Sequence, residues 1–281
     1  MYKLIVENYR GEQLQLHPNK NYYVEADGIT GNKAAINTSV TGNGAGTMFN
    51  SSRTEERAIE LTIYPLRDIE AARNKLYRFF QSGKSVKLYY TTGTRKAWIE
   101  GYIEQAPQGS IFSEQEALDV SVKCPSPYWK SIATEIINVS DIMPAFTFPF
   151  SIEYNDPIPF SNVVKAPEKT VYNNGDVESG VIIELEAIGS VNNPKIYDAF
   201  GGSFGITYAL QAGDIVTINT YRGEKSVKLF REGNETNLFQ YVDDNPTWFS
   251  LDPGDNLFTF SASDTALLNI RYILYNLYEG V

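Results

Sequence analysis

Cysteine and histidine are nearly absent from these 281 residues, which hold only Cys124 and His17. One cysteine excludes an internal disulfide and a thiolate metal cluster, so stability has to come from packed cores or from assembly with other subunits. Cys124 ends an alternating apolar run and reads as a buried, inert thiol. His17 is followed at once by Pro18. A Ser-His-Asp or Cys-His arrangement would have to use it, yet no nucleophile motif surrounds it, and a histidine-based zinc site meets the same shortage. No run approaches the roughly 20 apolar residues that span a bilayer, so no membrane partner is expected. The start, Met1 to Glu7, reaches Glu7 and Asn8 before the apolar core of an export signal could form. The expectation is synthesis in the cytoplasm without a cleaved signal. Basic charge is also scarce: 24 Lys+Arg stand against 34 Asp+Glu, a net of −10. Sequence-specific binding of nucleic acid is therefore not expected, because phosphate recognition needs a basic surface. Gly42-Asn43-Gly44-Ala45-Gly46 lacks the following Lys-Ser/Thr of a phosphate loop and opens no helix.

What is abundant is aromatic and β-branched residues, with 19 Tyr and 15 Phe spread among Val, Ile and Thr. Such side chains fit a pleated, half-buried surface, so strand should dominate. The length suggests two domains. Charge divides the same way: residues 1–132 hold 16 Lys+Arg against 14 Asp+Glu, and residues 133–281 hold 8 against 20. Seven prolines between Pro125 and Pro167 mark the boundary region, which reads as linker or edge strand. The expected domains are 1–132 and 133–281.

In the first half, alternation predicts strands at 2–6, 22–26 and 58–64, and further strands at 85–91, 97–105 and 118–124. One helix is expected over about 67–81, with Ile69, Ala72, Leu76, Phe79 and Phe80 on one face. Ile69, Leu76, Phe79 and Phe80 read as core against a sheet. The result is an α+β layer. Residues 30–54 are rich in Gly, Asn, Thr and Ser, yet retain Ile36, Val40, Met48 and Phe49. A stretch this long is uncommon inside a domain. It reads either as a mobile loop or as an extended hairpin arm that orders against a neighbouring subunit, with those four residues at the interface.

The second half predicts about eight short strands: 181–187, 194–197, 204–208, 215–220, 227–230, 248–251, 257–261 and 270–275. Turn signals such as Asn174-Gly175 and Pro253-Gly254-Asp255 separate them. That spacing suggests a β-sandwich or jelly roll. Glu184 and Glu186 share a sheet face, which is more often solvated than an acid/base pair. Asp243-Asp244 lies in a turn context, and Asp252 with Asp255 shows no full loop of oxygen ligands for calcium. No catalytic, metal or cofactor-binding residues are assigned. Trp248, Phe249, Tyr221 and Tyr241 leave an alternative open, a carbohydrate-binding module contacting the host cell surface; core packing is the plainer role for Trp248 and Phe249.

The order of these features resembles a known family. Strand, Gly/Asn-rich arm and strand precede the helix with Leu76-Tyr77-Arg78-Phe79-Phe80. Cys124-Pro125-Ser126-Pro127-Tyr128-Trp129-Lys130-Ser131 closes the first domain. Leu210-Gln211-Ala212-Gly213-Asp214, Thr220-Tyr221-Arg222-Gly223-Glu224-Lys225 and Trp248-Phe249-Ser250-Leu251-Asp252-Pro253-Gly254-Asp255-Asn256 follow, before an Ile/Tyr-rich strand. Across nearly its whole length the chain resembles the distal tail proteins of long-tailed, non-contractile bacteriophages and prophages. The resemblance implies a ring-forming first domain, six-fold in that family, and a galectin-like β-sandwich outside the ring. It implies a homo-oligomer, the tail tube protein and the tail-tip or tail-lysin protein as partners, and a place in the virion. Some members also carry receptor-binding proteins; here the second half lacks an obvious long insertion of the kind that forms such an arm.

Overall fold

Arg57–Pro65 shows why the first half folds as a sheet. In the computed structural model, which describes residues 2–40, 42, 44–109, 116–144, 161–165 and 168–281, Ile59, Leu61 and Ile63 are buried while Ala58 and Glu60 face outward. Successive side chains of a strand point to opposite faces, so this run needs a core on one side only.

Two units divide the described chain, one of residues 1–132 with Leu277–Val281 and one of Ala133–Asn276. In the first, β1 (Lys3–Asn8), β2 (Gln13–His17), β3 (Tyr22–Asp27), β4 (Ala34–Val40), β5 (Thr47–Thr54) and β6 (Arg57–Pro65) precede helix α1 (Ile69–Phe79). Then come β7 (Ser85–Thr91), β8 (Lys96–Gln108), β9 (Leu118–Cys124) and β10 (Trp129–Ser131). The main sheet is antiparallel with order β2-β1-β7-β8-β9-β6-β3, and β10 pairs with β8 and with the terminal strand Leu277–Tyr278. Its buried face carries Leu4, Val6, Leu61, Leu88, Ile99 and Val120. Onto that core α1 sets Ala72, Leu76 and Phe79, with Phe80 just beyond. Ile69 departs from expectation. It sits in the first helical turn and is 45% exposed, because the helix packs through its middle and C-terminal turns.

The second unit contains β11 (Glu135–Asn138), β12 (Ser140–Pro144), β13 (Ser161–Lys165), β14 (Glu168–Asn173), β15 (Ile182–Ala187), β16 (Val191–Asn192) and β17 (Lys195–Asp198). It continues with β18 (Ser203–Gly205), β19 (Ala209–Leu210), β20 (Ile215–Asn219), β21 (Ser226–Arg231), β22 (Asn234–Asn237), β23 (Gly254–Ser261) and β24 (Leu268–Leu274). One sheet runs β11-β24-β15-β20-β21-β22 and another β14-β23-β17-β18. Ile183, Val216, Leu229 and Tyr272 of the first and Val171, Ile196, Phe204 and Phe258 of the second share one buried cluster. This is a β-sandwich core, built from alternating inward positions of both sheets.

Three sequence expectations need comment. Residues 248–251 form no strand; only Leu251 bridges, to Ser179, while Phe249 and Leu251 plug the core. The last residues, placed with the second domain from sequence, group with the first unit, where Tyr278 pairs with Trp129. Of the proline-rich boundary, Pro149, Pro157, Pro159 and Pro167 lie outside the described residues, and Pro144 ends β12.

Candidate functional site

The Gly/Asn-rich stretch is a hairpin. Strands β4 and β5 pair antiparallel with each other alone, from Ala34 opposite Thr54 to Val40 opposite Thr47, with a bulge after Asn37. Because side chains alternate, Ile36, Thr38 and Val40 share one face of β4, and Phe49 is paired with Thr38. The other face is polar: Asn37 Nδ2 donates to Ser51 Oγ at 3.1 Å, and Ser39 Oγ donates to Asn50 Oδ1 at 3.2 Å. Met48, opposite Ser39, belongs to that polar side. The four residues singled out from sequence therefore divide three to one. Ile36, Val40 and Phe49 are 63%, 79% and 63% exposed. A two-stranded ribbon is marginal in water by itself, and this one carries an uncovered apolar face.

The root of the arm is built as firmly as its tip is bare. Arg57, 3% exposed, opens β6 just after the arm. Its guanidinium donates to the carbonyls of Gly28, Ile29 and Gly31 where the chain leaves for the arm, to Pro127 near β10, and to Glu279 at the C-terminus. Trp129 Nε1 donates to the same Ile29 carbonyl at 3.2 Å. Arg95 Nη1 reaches the Gly280 carbonyl at 2.7 Å. Burial pulls the Arg57 pKa down, while Cys124 and Glu279 oppose that shift. Five fixed carbonyls suit the planar five-donor fork of arginine and no other side chain. Gly28 has φ +78° and would put a Cβ 2.0 Å from the Ala58 carbonyl; Gly280 would put one 2.1 Å from the Thr30 carbonyl. Both positions let backbones meet where a side chain has no room.

Sequence reading missed Arg57, although a signal existed. Arg57 shares the inward register of Ile59, Leu61 and Ile63, and a charged residue in an inward register is either paired or fully hydrogen-bonded.

The residues weighed for chemistry are dispersed. Cys124 is fully buried and burial pushes its thiol up to about 12, with Arg57 acting in the opposite direction. His17 is exposed at the end of β2. Glu184 pairs across strands with Arg271 at 2.9 Å. Asp243 pairs with Lys195 at 2.8 Å. Buried Asp214 accepts from Arg231 Nε at 2.7 Å and from the Gln211 amide at 2.7 Å. Asp252 and Asp255 flank a turn in which Asn256 hydrogen-bonds the Asp252 backbone. Among the described residues no group of three His, Cys, Asp or Glu side chains gathers as a metal site. Of the aromatics weighed for sugar stacking, Tyr221 and Phe249 are buried. Trp248 is held edge-on by Phe204, stacked on Phe239 and capped by Lys225, 5.2 Å from its ring centre. Tyr241 packs on Tyr208.

Residues 174–273 match the family model for the C-terminal domain of the siphovirus-type tail component. No curated protein matches the chain. Among solved structures, the hub protein Dit of phage SPP1, described as a paradigm of the adsorption apparatus in phages infecting Gram-positive hosts, shares the fold with a TM-score of 0.70. It is 10% identical, and 99% of each chain is covered. A chain of the phage P2 baseplate in its activated conformation with calcium has a TM-score of 0.52 at 10% identity, with 100% of each chain covered. The resemblance to the distal tail proteins is thereby borne out: the chain matches the siphovirus-type tail component in its second unit and the fold of a tail hub along its whole length.

Proposed function

We propose that this chain is the structural hub of a phage tail tip, a non-enzymatic virion protein whose copies close into a ring. By the resemblance the ring is a hexamer. It joins the tail tube protein to the tail-tip or tail-lysin protein. The observation that carries this reading is the arm. Ile36, Val40 and Phe49 form an apolar face with no cover within the chain's described residues, and the root beneath them is fixed by Arg57. Covering such side chains is worth about 1.5–3 kcal/mol each, and a neighbouring copy in a closed ring supplies that cover in head-to-tail fashion. A bound arm also uses its pre-set direction, since less ordering remains to be done on assembly.

Deletion of residues 31–54 tests the proposal. Tails carrying the deletion should fail to assemble, while the remaining chain stays folded. Normal particles from the deleted chain would end the proposal.

A further inference from the structure

Away from the arm, an open cleft of about 520 Å³ lies between the outer side of α1 and the β1–β2 turn, lined by Arg10, Glu12, Asn74, Lys75, Arg78 and Phe79. Asn74, Lys75 and Arg78 fall at helical spacing on one stripe of α1, so their side chains project together. Arg10 is pinned from the opposite wall: its Nη2 donates to Glu12 Oε2 at 3.1 Å and to the Arg78 carbonyl at 3.0 Å, in the last turn of the helix. Lys75 and Arg78 are exposed, and among the described residues no carboxylate pairs with either. Nearby, Lys84 and Arg10 both lie over the Tyr9 ring, at 5.4 Å. Four cations thus gather in and beside one cleft, with Glu12 the one carboxylate lining it among the described residues. In a chain of net −10 such a concentration is unexpected.

We infer that this cleft is a docking site for the acidic second unit of another copy of the same chain. Charge complementarity names the occupant. The second unit, residues 133–276, holds 19 Asp+Glu against 8 Lys+Arg, and exposed Asp244 and Asp252 on loops and Asp255 at the start of β23 offer carboxylates. Two free cations and a pinned guanidinium around a partly apolar floor suit side-chain carboxylates, with Arg78 giving a two-pronged grip. The inference rests on the proposed self-assembly and adds a second, ionic contact to the apolar arm. The two contacts answer differently to salt, because exposed charge pairs are screened and apolar burial is not.

The test is sedimentation velocity of the full chain over a concentration series at low and high ionic strength. Three proteins are compared: wild type, Lys75→Glu/Arg78→Glu, and Ile36→Ser/Val40→Ser/Phe49→Ser. Far-UV circular dichroism confirms folding, with Lys75→Gln/Arg78→Gln as the milder variant. The cleft variant is expected to weaken self-association at least about tenfold at low ionic strength and to lose its salt dependence. The arm variant is expected to weaken it at both ionic strengths. Unchanged association of the cleft variants, or wild-type association insensitive to salt, overturns the cleft and leaves the arm standing. A wild type that stays monomeric throughout also overturns the cleft, while the arm answers separately to particle assembly.

Discussion

Arg57 Nε donates to the Pro127 carbonyl at 2.8 Å, across 70 residues of sequence, and the same guanidinium holds the Gly28 carbonyl at the arm's departure. One side chain thereby ties arm, domain-closing segment and C-terminus together. Arg57→Ala should cost about 3 kcal/mol, since it strips several buried carbonyls of their donor. Arg57→Lys should recover less than half of that, because an ammonium cannot serve five fixed carbonyls. Denaturant unfolding measures the loss. Hydrogen exchange should show faster exchange in β4 and β5 of either variant.

The arm's two faces should behave differently. Ile36→Ser/Val40→Ser/Phe49→Ser should leave the thermal midpoint of the isolated chain unchanged, because these side chains are exposed there. The same change should abolish tail assembly in a complementation assay. Met48→Ser alters the polar face and should assemble much closer to wild type.

Much of this was legible in the sequence, because strands with one buried face advertise it. Ser85–Thr91 and Leu118–Cys124 fall where alternation places them, and the helical stripe through Ala72, Leu76 and Phe79 locates α1. What escaped was set by contacts distant in sequence. Gln13–His17 is the exception: its Gln-Leu-Gln-Leu alternation, which buries Leu14 and Leu16, and its hairpin with the neighbouring β1 are local signals. Trp248-Phe249-Ser250-Leu251 is apolar enough to be a strand, yet Phe249 and Leu251 fill the core from irregular backbone. Leu277–Tyr278 carries no mark of the sheet it joins. The arm as a hairpin was one of two readings; the division of Met48 from Ile36, Val40 and Phe49 needed the register.

In the second unit, buried Asp214 and part-exposed Arg231 form a forked pair. The hydrogen bonds from Arg231, helped by the Gln211 amide, hold the Asp214 carboxyl below the usual carboxylate range against the opposing effect of burial. A depressed folded pKa gives stability that is present above the ordinary carboxylate range and is lost as pH falls through the folded value. Asp214→Asn should cost about 2–3 kcal/mol at neutral pH and less in acid, the difference closing below about pH 4. Urea titrations of both proteins across that range check the sign.

Cys124 reports on the first unit. Complete burial and a thiol pushed up to about 12 should make it about a thousandfold slower than a free thiol toward disulfide reagents at neutral pH. Full reactivity should return only in denaturant. A rapid reaction of the native protein would place the thiol at an accessible surface.

The most direct measurement replaces Phe49 with a photo-crosslinking amino acid and irradiates assembled tails. A covalent pair made of two copies of this chain is the predicted product. Adducts exclusively with other tail proteins, or none at all, would contradict an arm that grips its own kind.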